Sequence, residues 1–541
     1  MVFVGTRFKK MGDIRRRNIL LVVLPYLLKR QSSKTSKLRS FKAFPYGVLS
    51  LATYLKTQAG DKVNIQVLDC NLDDERDLIS VIQEELSDFK PDIVGLSMMF
   101  DNSYRHLEAI CSTVKEYDND TLVVLGGSAA TSSYAEIMKE QDHVDAICFS
   151  EGEIPLLNMI NSENMADFLE MDASWVTRKS LGEGRVPEKL AVENLDDAVS
   201  IDYSFVDPSN YAMEEAFSPF VATIKHRKQF FLVTSRGCHS KCAFCIHSAD
   251  KDKRIRYASV DKVIDHVRFL VSKYDMNVLT IYDDQILFNK QRAKQLFRGL
   301  AQFSLRIECP NGLSVAFMDE ELIKLMRQAG MDTVCLAIES GSPHVLNDII
   351  HKPLRLHMVE PVVKCLRKYG FWIQAFFVSG MPGETDRHRD ETVKFIKEVG
   401  LDWSSFSLAI PSRGSELFKI CVENGFIKKD MKIDELDPNK YIISTPEYTP
   451  DYVERKTYLM NLDVNFVNNY RMRNGEHGIA ADAFRDVIKR YGNHAFAYYY
   501  LSKALSALRK DQEAQCAMER YLEIIEKDSM WKDYARHFKM N

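Results

Sequence analysis

Short apolar runs alternate with amphipathic stretches through the first 160 residues. The runs Ile19–Leu24, Val63–Asp69, Ile93–Met98, Leu122–Gly126 and Ala146–Phe149 predict strands. Between them, a 3.6-residue apolar period over Gly47–Gln58, Leu78–Asp88, Tyr104–Tyr117 and Tyr134–Gln141 predicts helices. Strands that are apolar on both faces and separated by helices imply a doubly wound parallel sheet of the flavodoxin or Rossmann kind. Such a sheet takes its ligand beyond the carboxyl ends of its strands, near the point where strand order reverses.

Periodicity weakens over residues 161–221, which carry scattered Gly, Pro, Asp and Ser and read as a linker with a few local elements. Alternation resumes at Phe230 and continues to about Phe426. Its strands are predicted at Phe231–Thr234, Val278–Tyr282, Arg306–Cys309, Thr333–Ala337, Trp372–Val378 and Ser405–Ala409. Six such units predict a partial (β/α)6 barrel with its active face at the strand carboxyl ends. The last hundred residues read as purely helical. There Ala483, Phe484, Val487 and Ile488 recur 34 positions later as Ala517, Met518, Tyr521 and Leu522, the spacing of a tetratricopeptide-like (TPR-like) repeat. The resulting division is a tail over 1–16, a first domain over 17–160, a linker over 161–221, a second domain over 222–430, and a helical region over 431–541.

Composition narrows the class. The 541 residues are 45% hydrophobic and 11% aromatic, which excludes a disordered chain. A net charge of −4 gives no basic field for generic nucleic-acid or membrane binding. Arg15-Arg16-Arg17 followed by Asn18–Leu28 imitates a short export signal. The run contains Pro25 and ends in Lys29-Arg30, so it is read as a buried first strand. Eleven cysteines, an odd number and mostly isolated in apolar runs, suit free thiols in a reducing cytoplasm.

Three of those cysteines are not isolated. Cys238, Cys242 and Cys245 follow the first strand of the second domain in Cys-His-Ser-Lys-Cys-Ala-Phe-Cys. Thiolates are soft ligands that select zinc or iron–sulfur clusters. Three on one short loop can hold three corners of a four-iron cubane and leave the fourth iron open. The alternative is structural zinc, with His239 or His247 as the fourth ligand.

The octapeptide, with aromatic Phe244 before its last cysteine, resembles the signature of the radical S-adenosylmethionine superfamily. The resemblance runs from Phe231 to about Phe426. It implies that Cys238, Cys242 and Cys245 bind a 4Fe-4S cluster whose open iron chelates S-adenosylmethionine. It places Asp283 and Asp284 of Tyr282-Asp283-Asp284-Gln285 near the methionine amino end. Glu339 and Ser340 of Glu339-Ser340-Gly341 would contact the ribose and carboxylate, and Gly380 would open the Gly380-Met381-Pro382-Gly383 loop. The first domain resembles the cobalamin-binding domain that precedes the barrel in one large subgroup. The resemblance rests on Phe44-Pro45-Tyr46-Gly47, on Ser97 and Gly126-Gly127 at strand ends, and on Ser150-Glu151-Gly152-Glu153. No Asp-x-His-x-x-Gly segment follows the first strand, so cobalamin would bind without a protein histidine on cobalt. Lys29, Arg30, Lys34, Lys37, Arg39 and Lys42 crowd the loop after that strand and read as a solvated segment.

The subgroup implies methyl transfer to an unactivated carbon of a small, natural-product or lipid-like molecule, with cobalamin as methyl donor, as in the methyltransferase of fosfomycin biosynthesis. It also implies an electron donor such as flavodoxin or ferredoxin. A radical cyclisation or rearrangement using the same cofactors is the alternative. A binding or assembly protein that meets a protein partner through its C-terminal helices is an alternative of another class.

Overall fold

The computed structural model describes residues 16–26, 43–72, 76–211, 226–249, 252–437 and 440–540. The basic residues between Lys29 and Lys42 lie outside the described residues. The chain divides into two compact units. The first comprises residues up to Tyr26, Pro45–Glu193 and Ile201–Val206, and the remainder forms the second.

In the first unit, strands β1 (Arg17–Val23), β2 (Val63–Asp69), β3 (Ile93–Ser97), β4 (Leu122–Gly126), β5 (Ala146–Cys148) and β6 (Trp175–Val176) form one sheet. Their order is β2-β1-β3-β4-β5-β6, parallel except for the last pair. The apolar run of the sequence is the strand β1, whose Ile19–Val23 are buried between helices on both faces. After β1 the chain goes to β2 on one side and then back to β3 on the other, so the order reverses at β1/β3. Residues 161–193, expected to begin a linker, instead extend this unit. Trp175 is 1% exposed, and β6 pairs antiparallel with β5. A two-residue edge strand carries no periodicity, so only its buried Trp could have marked it.

The second unit holds two three-stranded parallel sheets. One is ordered β9-β8-β7, from β7 (Gln229–Leu232), β8 (Val278–Ile281) and β9 (Arg306–Glu308). The other runs β10-β11-β12, from β10 (Thr333–Glu339), β11 (Trp372–Ser379) and β12 (Trp403–Leu408). A parallel bridge between Leu313 and Leu336 joins them. Each strand is followed by a helix, as with Val260–Tyr274 after β7 and its loop and Lys290–Leu300 after β8. On β7, Phe230 packs outward on Tyr274 of its helix, at 5.2 Å between ring centroids. Gln229, on the opposite side, donates to Thr280 Oγ1 at 2.7 Å.

The C-terminal helices attach through the edge of β12. Asn465 accepts from Ser404 N and donates to Ser404 O, both at 2.8 Å, and so pairs an edge strand that would otherwise be open. Helices His477–Tyr491 and Asp511–Lys527 begin 34 residues apart. Of the residues in the 34-residue recurrence, Ala483, Phe484, Val487, Ala517 and Tyr521 are buried, whereas Leu522 is 51% exposed. Among the described residues no helix is long and apolar enough to cross a membrane.

His494 anchors this region. Its ring lies 4.7 Å from Phe466 and 4.8 Å from Trp531, and Nδ1 accepts from Ala497 N at 3.1 Å, capping the next helix. Burial pulls its pKa down to about 3, and burial pulls that of His266 down to about 4. Both are neutral in the fold, while the unfolded chain takes up protons on them below about pH 6.5. Their contribution is therefore complete above that pH and is lost as pH falls toward 3, by about 1.4 kcal/mol per unit for each ring. An H494N variant keeps a capping acceptor and removes one titrating group. Between pH 6.5 and 4.5 its unfolding free energy should fall with a slope shallower by about one proton, measured by denaturant titration. An unchanged slope would contradict the assignment.

Candidate active site

In the second unit, the chain beyond β7 pairs Ser235–Arg236 antiparallel with Arg256–Tyr257 and then turns sharply at Gly237 (φ +106°), where a Cβ would lie 2.5 Å from Arg254 O. Only glycine fits there. The turn launches Cys238, Cys242 and Cys245. Cys245 N donates to Cys242 O at 2.8 Å, while Ala243 N donates to Ile350 O and its carbonyl accepts from Leu417 N. Lys253 Nζ donates to Ser240 O at 3.3 Å and His247 O at 2.5 Å, bracing the loop. Phe244 lies partly buried against an apolar cluster that includes Met381, Leu417 and Tyr441.

Burial pushes the Cys242 thiol up to about 12. Lys352 opposes the rise, and Glu339, Cys245 and Cys238 add to it. Cys245 is raised as well, chiefly by burial. The three thiols thus stand close enough to oppose one another's ionisation. A bound metal centre reverses that cost, because it takes the thiolate form. Among the described residues no three His, Cys, Asp or Glu side chains converge on a single ion. Neither histidine of the zinc alternative joins the thiols as a fourth ligand among the described residues, and His239 Nδ1 is buried without a hydrogen-bond partner. His239 packs on Phe288 at 4.4 Å and on Phe317 at 5.8 Å, and His247 Nε2 is 3.6 Å from Asp284 Oδ2. Three thiols on one loop, with no fourth ligand beside them among the described residues, are the donor set of a cluster that keeps one iron open.

Glu339 closes β10 at a register irregularity and sits at φ +72°, a conformation rare outside glycine. Such strain persists only where the surroundings fix it, and it concentrates at functional sites. Lys352 supplies part of that fixing, with Nζ 2.9 Å from Glu339 Oε1. Beside Cys242, the pair makes a polar corner next to the thiols. Nothing in the sequence marks Lys352, which is 13 residues away and belongs to no recognisable pattern.

Three other expected cofactor residues are engaged by neighbouring protein groups. Asp283 is fully buried, and its carboxylate accepts from Thr234 N at 2.5 Å, Thr234 Oγ1 at 2.7 Å and Ser235 Oγ at 2.6 Å. It grips the root of the cysteine loop through Thr234 and Ser235. Burial raises its pKa against those hydrogen bonds. Ser340 faces inward, with Oγ 3.2 Å from Thr392 Oγ1. Gly380 (φ +88°) donates to buried Glu384 at 2.6 Å and accepts from Tyr441 OH at 2.6 Å. A Cβ on Gly380 would strike the Tyr441 ring. Asp284 stays partly exposed beside the loop.

In the first unit, Ser97 and Gly126 end adjacent strands of the sheet. Gly127 (φ +106°) turns the chain so tightly that a Cβ would meet Met98 O at 2.5 Å. A short helix of small residues, Ser128–Ser132, follows. Ser150 takes φ +78° after β5, and its N donates to Thr131 Oγ1 at 3.1 Å. Glu151 and Gly152 lead into the helix Glu153–Asn161, whose Glu153 accepts from Ser50 Oγ at 2.7 Å. The carboxyl edge beside the β1/β3 switch is thus floored by small side chains and by backbone, which suits a large planar ligand brought close to the main chain.

Residues 39–160 match the B12 binding domain, and residues 232–396 match the Radical SAM superfamily. The chain is therefore an enzyme that joins a B12-binding domain to a radical SAM domain. It is 28% identical over 413 residues to cytidylyl-2-hydroxyethylphosphonate methyltransferase of Streptomyces wedmorensis, covering 70% of this chain and 75% of that protein. Anaerobic magnesium-protoporphyrin IX monomethyl ester cyclase of Rubrivivax gelatinosus is 26% identical over 436 residues, covering 79% and 73%. This chain shares its fold with TsrM, a radical S-adenosylmethionine methyltransferase from Kitasatospora setae solved with cobalamin and a 4Fe-4S cluster bound. The TM-score is 0.58 at 15% identity, over 95% of this chain and 99% of that one.

Proposed function

We propose that the chain is a cobalamin-dependent radical S-adenosylmethionine methyltransferase acting on an unactivated carbon of a small molecule. One observation carries the reading: three adjacent thiols on a braced loop at the end of the first strand, beside the strained Glu339 and its partner Lys352. Cys238, Cys242 and Cys245 would hold the cluster. Glu339, Asp284 and the backbone around Gly380 would bind and orient S-adenosylmethionine. Ser97, Gly126, Gly127, Glu151 and Gly152 would cradle cobalamin. Bound there, the cluster supplies one electron to the sulfonium, and cobalamin supplies a transferable methyl group. Lys352 holds Glu339 in its strained conformation, and the apolar packing around Phe244 excludes water from the loop. The two sheets read as one open (β/α)6 barrel over 222–430, and the helices of 431–541 as a TPR-like cap that could meet a protein partner. The electron would come from an external low-potential carrier such as flavodoxin or ferredoxin.

The likeness to the cyclase favours a second reading, a radical cyclisation that uses the same cofactors. Methyl-labelled S-adenosylmethionine separates the two without a known substrate. The reduced, cobalamin-loaded chain should release deoxyadenosine and place label in the corrinoid fraction. Deoxyadenosine without labelled corrinoid would reject the methyltransferase and leave the cyclase reading.

A further inference from the structure

Asp283 and Arg292 stand behind the cysteine loop and touch none of its thiols, yet between them they hold the residue from which it departs. Thr234 has three polar atoms. Asp283 takes two of them, the backbone N and Oγ1, and it also takes the hydroxyl of Ser235. Arg292 takes the third, donating from Nη2 to Thr234 O at 3.0 Å. The same guanidinium donates to Ala258 O, from Nε at 3.0 Å and from Nη2 at 2.8 Å. Ala258 is where the chain returns from the loop, and its own N donates to Thr234 O at 3.0 Å. One buried cation thus staples departure and return together, while one buried carboxylate fixes the departing side. The Tyr257 ring covers the guanidinium at 5.0 Å. Both charges are more than nine-tenths buried.

Burying a carboxylate and a guanidinium is costly, and an apolar pair would close two strand ends more cheaply. What the two charged groups give is directional. Planar forks fix the backbone to which they bond, whereas apolar contacts slide. We infer that Asp283 and Arg292 are positioning residues that set the spacing of the Cys238, Cys242 and Cys245 thiols by fixing both ends of their loop. The inference rests on the cluster reading of those thiols. Side chains that orient metal ligands without touching the metal commonly change metal affinity by about 10- to 100-fold when removed.

The 541-residue chain, reconstituted without oxygen, gives the test. R292M keeps volume and loses every donor. D283A removes the grip on Thr234, and D283N keeps an acceptor for Thr234 N. R292M and D283A should lose iron to a chelator at least about tenfold faster than wild type. They should also lose the change that S-adenosylmethionine produces in the electron paramagnetic resonance spectrum of the reduced cluster. D283N should restore both, which a purely structural role would not require of the spectrum. Should R292M or D283A fail to fold by circular dichroism, T234V with S235A removes two of the three contacts to Asp283 and should show the same spectral loss. Wild-type iron retention and an unchanged spectral response in the folded variants would overturn the inference. A wild-type chain that takes up no cluster would instead overturn the parent reading.

Discussion

Replacing Cys242 with alanine is expected to strip the chain of iron and to abolish deoxyadenosine release, with the fold intact. Cys242 is the buried member of the trio: burial pushes its thiol up to about 12, Lys352 opposes the rise, and Glu339 and the other two thiols add to it. Its loss leaves two thiolates, too few to fix a cubane with one open corner. The drop should exceed the roughly 10- to 100-fold typical of residues that only support a ligand. Cys421 is the matched control. It is a buried thiol of the same apolar cluster, also pushed up to about 12, but by burial alone. C421A should keep wild-type iron and wild-type deoxyadenosine release. Equal losses in the two variants would mean that the effect comes from packing, not ligation.

Replacing Gly127 with alanine should abolish corrinoid uptake and leave the iron content unchanged. The new Cβ would lie 2.5 Å from Met98 O, at φ +106°. The backbone must therefore shift at the junction of β4 with the small-residue helix. Strain of this kind costs about 1–3 kcal/mol before any collision is counted. Gly60 separates the collision from the strain. It also has positive φ (+57°), but no atom lies within 4 Å of its Cβ position, and it precedes β2 at the opposite end of the strands. G60A should bind corrinoid as wild type does. Cobalamin retained by G127A, measured by absorbance after gel filtration, would remove Gly127 from the cradle.

What the sequence made legible follows from the range of the interactions concerned. The strand β1 was readable because a run apolar on both faces suits only a strand covered from both sides; it was expected at Ile19–Leu24 and lies at Arg17–Val23. The last strand was expected two residues late, at Ser405 and not Trp403, because the consecutive Ser404 and Ser405 break the alternation and its edge is covered by Asn465 from a distant segment. The thiols were legible because loop spacing is local. The contacts of Asp283 with Thr234 and Ser235 were not. An acidic residue closing a strand has the same sequence appearance whether it faces a cofactor or a neighbouring backbone. Only the arrival of Thr234, 49 residues earlier in the chain, decides which. Lys352 and Arg292 escaped for the same reason, since each acts on a strand end brought near by the fold.

The metal content of the chain purified without oxygen tests the central claim most directly. The account predicts about four irons with matching acid-labile sulfide per chain, no zinc, and a reduced-cluster spectrum that shifts when S-adenosylmethionine is added. One tightly held zinc, with neither iron nor sulfide, would contradict it.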